Sequence, residues 1–88
     1  MYELEIVLMN ELGLHARPAS IVAKQASKYN SHITLFKDGK EYNAKSIINL
    51  LSMEASKGDR LKIVANGDDE SKAVEELRII IEKDILGL

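Results

Sequence analysis

Gly13-Leu14-His15-Ala16-Arg17-Pro18-Ala19 is the junction at which one kind of periodicity gives way to another. Before it, Tyr2 to Met9 alternates, with Leu4, Ile6 and Leu8 on one face and Glu3, Glu5 and Val7 on the other. That is the period of a half-buried strand, and Asn10 and Gly13 mark its end. After it, from Ala16 to about Tyr29, the residues Ala19, Val22, Ala23, Ala26 and Tyr29 recur at helical spacing, with Lys24, Gln25 and Lys28 left for water. A strand therefore runs through this stretch into a helix, with His15 at the helix start and Pro18 in the first turn. A missing N–H breaks no intrahelical bond there.

The remaining pattern extends in the same way. Ile33 and Leu35 alternate with Thr34 and Phe36, and Asp38-Gly39 precedes a second extended run, Glu41 to Asn43. Asp-Gly suits the two positive φ angles of a type I′ hairpin turn. Ser46 to about Met53 reads as a short helix carrying Ile47, Ile48, Leu50 and Leu51. Lys57-Gly58-Asp59 is a turn, and Leu61, Ile63 and Ala65 form a fourth strand that stops at Asn66-Gly67. Asp68 or Asp69 then caps a last helix with the face Val74, Leu77, Ile81 and Ile85, which Gly87 ends. The order βαββαβα implies an α+β fold of two layers, a sheet covered by helices on one face and partly wet on the other. Its 88 residues are expected to form one domain, residues 1–88.

Composition closes off several functions. Without cysteine there is no disulfide framework, Cys-ligated zinc or thiol catalysis. The apolar runs Ile47 to Leu51 and Ile79 to Ile81 fall well short of the roughly 18 residues of a membrane span, and no basic-then-apolar leader begins the chain. The expectation is a soluble, unexported, cytoplasmic protein without membrane contact. A net charge of -2, one Phe and three Tyr give no footprint for nucleic acid. His32 lies on a different strand from His15 with no acidic cluster around either, so no metal site is expected. Asp68-Asp69-Glu70 reads as helix-start charge, since the spaced ligands of a calcium loop are missing. No catalytic triad or Gly-rich nucleotide loop is visible, and no cofactor is expected.

His15 and Arg17 carry the chemistry. A neutral imidazole, with an unperturbed pKa of about 6.5, takes a phosphoryl group on a ring nitrogen and gives it up again. The free amides of Ala16 and Arg17 at a helix start, and the Arg17 guanidinium, bind phosphate oxygens. Gly13 lets the loop turn and partners approach its backbone. An isolated His-x-Arg would read as a surface histidine, but seven residues together are more specific. Gly-Leu-His-Ala-Arg-Pro-Ala at 13 to 19 resembles the active-centre signature of the HPr family, the phosphocarriers of the phosphoenolpyruvate-dependent sugar phosphotransferase system. The Asp38-Gly39 hairpin, Asn43-Ala44-Lys45-Ser46-Ile47-Ile48, Lys57-Gly58 and Gly67-Asp68-Asp69-Glu70 fall where that family has them.

The resemblance implies an open-faced β-sandwich, four antiparallel strands in the order 1-4-2-3 with three helices on one face. It implies phosphorylation of His15 on Nδ1 by enzyme I, discharge to enzyme IIA domains in sugar uptake, and contact of Arg17 with the phosphoryl group. Such a protein is a carrier rather than an enzyme, and is expected to act as a monomer. By its position Ser46 reads as a plain helix cap; by resemblance it is the regulatory target of a kinase/phosphorylase, with a catabolite-control transcription regulator as a further partner. Leu12, Ala19, Ile47, Ile48, Asn49 and Leu51 are the expected docking residues. A helix this short cannot bury Ile47, Ile48, Leu51 and Met53 together.

The chain also departs from the family. Where the family usually shows a Gly-x-Met-Ser-Leu-Gly-like run after Ser46, this chain has Asn49-Leu50-Leu51-Ser52-Met53-Glu54, without either glycine. Leu12 replaces a small polar residue beside the phosphate. The alternative function is accordingly a regulatory paralogue that binds a transcription regulator or metabolic enzyme. Regulatory relatives have often replaced the histidine that this chain keeps.

Overall fold

The computed structural model describes every residue from Met1 to Leu88. The elements are β1 (Tyr2–Val7), α1 (Ala16–Ala26), β2 (His32–Lys37), β3 (Lys40–Asn43), α2 (Ile47–Ser52), β4 (Arg60–Asn66) and α3 (Glu70–Ile79), and a π-helical turn spans Ile80–Asp84. The strands form one antiparallel sheet in the order β1-β4-β2-β3. Its register sets Leu4 opposite Ile63, Ile6 opposite Leu61, and Leu35 opposite Ile63 from the other side. Period-two alternation therefore lines up apolar side chains on the face that the helices cover.

The other face stays open. Lys62 lies over the Phe36 ring at 5.1 Å, and Arg60 and Lys62 approach Glu5 and Glu3 at 3.8 and 4.0 Å. Exposed pairs of this kind add little stability. The fold is held by the layer beneath, where Ile33, Leu35, Ile63, Val74, Leu77, Ile81 and Ile85 are completely buried. The face expected of the last helix is thus intact, although the Ile85 amide bonds back five residues to the Ile80 carbonyl at 3.1 Å.

Other boundaries move for identifiable reasons. Helix α1 stops at Ala26 rather than near Tyr29, because the Lys28 and Tyr29 amides turn back to Gln25 and Ala26, three residues earlier. Tyr29 remains buried; its hydroxyl accepts from Gln25 Nε2 at 2.8 Å and donates to Glu76, tying α1 to α3. Burial, and then that carboxylate, raise its pKa. Asp69 stands at the N-cap of α3 but makes no side-chain cap. Its carboxylate accepts instead from the Ser31 hydroxyl at 2.5 Å and from the Asn30 and Ser31 amides at 2.9 and 3.0 Å. The Ser31 hydroxyl, first among these, holds the Asp69 pKa below the usual carboxylate range.

The turn between β2 and β3 and the one after α2 show what the sequence demands of the backbone. Asp38 and Gly39 take φ of 53° and 79°, the signs a type I′ hairpin needs. At the far end of α2, Glu54 is left-handed too, with φ of 52°. Its amide closes the helix on the Leu51 carbonyl at 3.1 Å, at a position where a helix most often ends on glycine. Lys37 Nζ donates to the Met53 and Glu54 carbonyls at 3.1 and 3.4 Å and sits 3.6 Å from Asp59 Oδ2. A Cβ in the left-handed region costs about 1–2 kcal/mol, and a flexible glycine returns part of that through its greater loss of freedom on folding. Glu54→Gly is therefore expected to stabilise the fold by up to about 1 kcal/mol. Denaturant melts of the two proteins check this, and a lower midpoint for the variant would show that the side chain matters more than the backbone angle.

Candidate functional site

His15 is the N-cap of α1, with φ of -78° and ψ of -174°, and its side chain makes no cap bond to the helix. The first intrahelical bond runs from the Ala19 amide to the His15 carbonyl at 2.9 Å. The amides of Ala16 and Arg17 precede it and have no intrahelical acceptor, while Pro18 brings none. Both residues are exposed, and the Arg17 guanidinium enters no ion pair. A half-buried imidazole thus stands at a helix start that offers two free amides and an unpaired cation.

The ring is held from one side. His15 Nε2 lies 3.2 Å from the backbone oxygen of Leu88, at the far end of the chain beyond α3. A backbone oxygen only accepts, so in the neutral ring this contact puts the proton on Nε2 and leaves the lone pair on Nδ1, which has no hydrogen bond. The nearest acid in the loop, Glu11, is paired with Lys57 Nζ at 2.6 Å. That hydrogen bond, more than the charge, lowers the Glu11 pKa.

Gly13 shapes the loop in a way the sequence reading missed. At φ of 69° it presses its α-carbon face onto the body of the protein: a Cβ there would stand 2.3 Å from the Ala55 carbonyl oxygen. The same oxygen accepts the Leu14 amide at 3.0 Å. Gly13 is buried, so the close approach it permits is internal and not to a partner.

The expected docking residues divide. Leu12 and Ile48 are 71% and 79% exposed, and Ile47 and Leu51 are exposed as well. Leu50 and Met53 are the side chains of this segment that enter the core. Ala19 is corrected: it is completely buried, on the same face of α1 as Val22 and Ala23, and offers no surface. Helix α2 packs against α1, so its exposed apolar residues belong to the same flank as the histidine helix.

Ser46 is the N-cap of α2, its Oγ accepting from the Asn49 amide at 3.2 Å. Asn49 Nδ2 donates to the same oxygen at 3.3 Å, and Asn49 Oδ1 accepts the Asn43 amide at 3.3 Å. Asn49 is thus a brace between β3 and α2, a role its place in a list of docking residues did not suggest.

A family model described as the PTS HPr component phosphorylation site matches residues 2–83. The chain belongs to the HPr family. It is 40% identical to the phosphocarrier protein HPr of Mycoplasma pneumoniae over 84 residues, covering 94% of this chain and 96% of that protein. It is 35% identical to the HPr-like protein Crh of Bacillus subtilis, covering 97% and 100%. The crystal structure of HPr from Thermoanaerobacter tengcongensis superposes with a TM-score of 0.92 at 44% identity, covering 97% of this chain and 96% of that one. It is an HPr-family phosphocarrier, a phosphoryl-transfer protein by family rather than a catalyst, and its relatives include both HPr and Crh proteins. Membership implies enzyme I and enzyme IIA as the kinds of partner it meets. No helix is long and apolar enough to cross a membrane.

Proposed function

We propose that the chain is a general phosphocarrier, accepting a phosphoryl group on His15 Nδ1 from phospho-enzyme I and passing it to enzyme IIA domains in sugar uptake. The observation that carries this is the His15 ring, turned with Nε2 toward Leu88 and Nδ1 unbonded beside free helix-start amides and an unpaired Arg17. In the forward step the Nδ1 lone pair forms a bond to phosphorus. The bond from phosphorus to the donor breaks, and its electron pair leaves with the donor.

The phosphoryl oxygens gain the Ala16 and Arg17 amides and the guanidinium. The helix end adds only about 0.3–1 kcal/mol at an exposed site, which suits a group that must leave again. Incubating the protein with enzyme I and phosphoenolpyruvate is expected to add one acid-labile, base-stable phosphate, read by intact mass. No label would count against the proposal and in favour of a binding role.

That second reading rests on the similarity to Crh, and on Ser46 at a helix start. A phosphate on Ser46 brings about -1.5 to -2 charges to the positive end of α2, where the fold accommodates it while an acidic partner is repelled. Cognate kinase and ATP are expected to modify the wild type but not Ser46→Ala, with an unchanged far-UV spectrum. A wild type left unmodified would sink the regulatory reading.

A further inference from the structure

We infer that Asn10 is a positioning residue for His15, holding through Leu88 the ring tautomer that leaves Nδ1 as the nucleophile. The inference rests on His15 as the phosphoryl acceptor. Asn10 lies just beyond β1, two residues after the completely buried Leu8, and is itself completely buried. A polar residue there needs a reason.

Its amide nitrogen faces two backbone oxygens, Gly13 O at 2.9 Å and Leu88 O at 3.4 Å. Exchanging the amide's oxygen and nitrogen would set three acceptors against one another, so the hydrogen-bond network fixes its orientation. Oδ1 is then left buried without a partner. An unpaired buried acceptor is a penalty that leucine in line with its neighbours would avoid. What leucine would lack is the pair of N–H donors.

Those donors act on both sides of the histidine. One fixes the Gly13 carbonyl, two residues before His15; the other holds the oxygen to which His15 Nε2 donates at 3.2 Å. With Leu88 O held in place, the proton stays on Nε2. The lone pair of Nδ1 then points to where phosphorus must arrive.

The test reads the ring directly. Long-range proton–nitrogen NMR on the labelled full chain, at a pH where the ring is neutral, is expected to show mainly the Nε2–H form in the wild type. In Asn10→Leu the Nδ1–H share is expected to rise about two- to tenfold, the change one ordinary hydrogen bond makes in an equilibrium. Labelling with phosphoramidate, which loses ammonia as its P–N bond breaks, should be slower in the variant and place some phosphate on Nε2. Asn10→Asp, whose carboxylate repels both oxygens, should shift the ring the same way.

A folded variant with an unchanged tautomer and phosphate on Nδ1 alone overturns the inference. Should neither variant fold, a wild-type ring mainly in the Nδ1–H form overturns it, and a mainly Nε2–H ring whose proton is protected from exchange supports it. Failure of wild-type His15 to take any phosphate would strike the carrier reading instead, and the tautomer would still decide the role of Asn10.

Discussion

His15→Ala is expected to give a folded protein that takes up no acid-labile phosphate from enzyme I and phosphoenolpyruvate. The loss is complete because the only other histidine, His32, begins β2, which is a different element from the helix start with the free donors. The fold should survive. The side chain makes no cap bond, so the substitution removes little beyond the contact with Leu88 O. One such hydrogen bond is worth about 0.5–1.5 kcal/mol, or a fall of roughly 2–12 °C in melting temperature for a domain of this size. Intact mass and a thermal melt on the same sample separate the two effects. Residual acid-labile label would place the acceptor elsewhere, and an unfolded variant would make His15 a structural residue.

Gly13→Ala is expected to be the most destabilising small substitution in the loop. Two independent costs meet at one atom. The left-handed backbone, φ of 69°, charges an alanine about 1–2 kcal/mol. The new Cβ would stand 2.3 Å from the Ala55 carbonyl oxygen, which is backbone and cannot swing aside as a side chain would. Overpacking of that kind costs about 1–3 kcal/mol. Together they amount to about 2–5 kcal/mol, or a melting temperature lower by roughly 8–40 °C. A loop that relieves the clash must give up Leu14 N to Ala55 O, which lies next to His15, so phosphoryl acceptance should fall as well. An unchanged melting temperature would mean that the loop is not seated on Ala55.

The periodic elements were legible because burial imposes its own period on the chain. Ala19, Val22, Ala23 and Ala26 announced one helix face and Val74, Leu77, Ile81 and Ile85 another, and both faces are buried. Ala19 is instructive, since its spacing with Val22, Ala23 and Ala26 belongs to a buried face, and it is completely buried rather than available for docking. The strand order came from the resemblance, because alternation tells which residues share a face but not which strands are neighbours. The helix starts at His15 and Ser46 were legible, and both residues stand at N-caps; the roles expected of them came from the resemblance.

What escaped the reading depends on residues far apart in the chain. The His15 ring meets Leu88, 73 positions away, and Asp69 leaves its own helix to bind Ser31. Asn10 could have been found. Read only as the mark of a strand's end, it follows Leu8 at the same spacing of two and is completely buried, and that continued spacing was a signal. Glu54 hid its left-handed angle because nothing in its side chain announces it.

The seating of α2 has a consequence for encounter. Six residues are far too few for a helix to persist alone in water. This one is fastened at its start by Ser46 and Asn49 and at its end by the Lys37 ammonium on the Met53 and Glu54 carbonyls. Ile47, Ile48 and Leu51 are therefore displayed on backbone whose ordering entropy was already lost when the chain folded. A partner landing on them gives up little further freedom on this side of the contact, so even a small apolar footprint can be recognised and then released quickly. A short contact lifetime is what the proposed carrier role, passing between successive partners, would require.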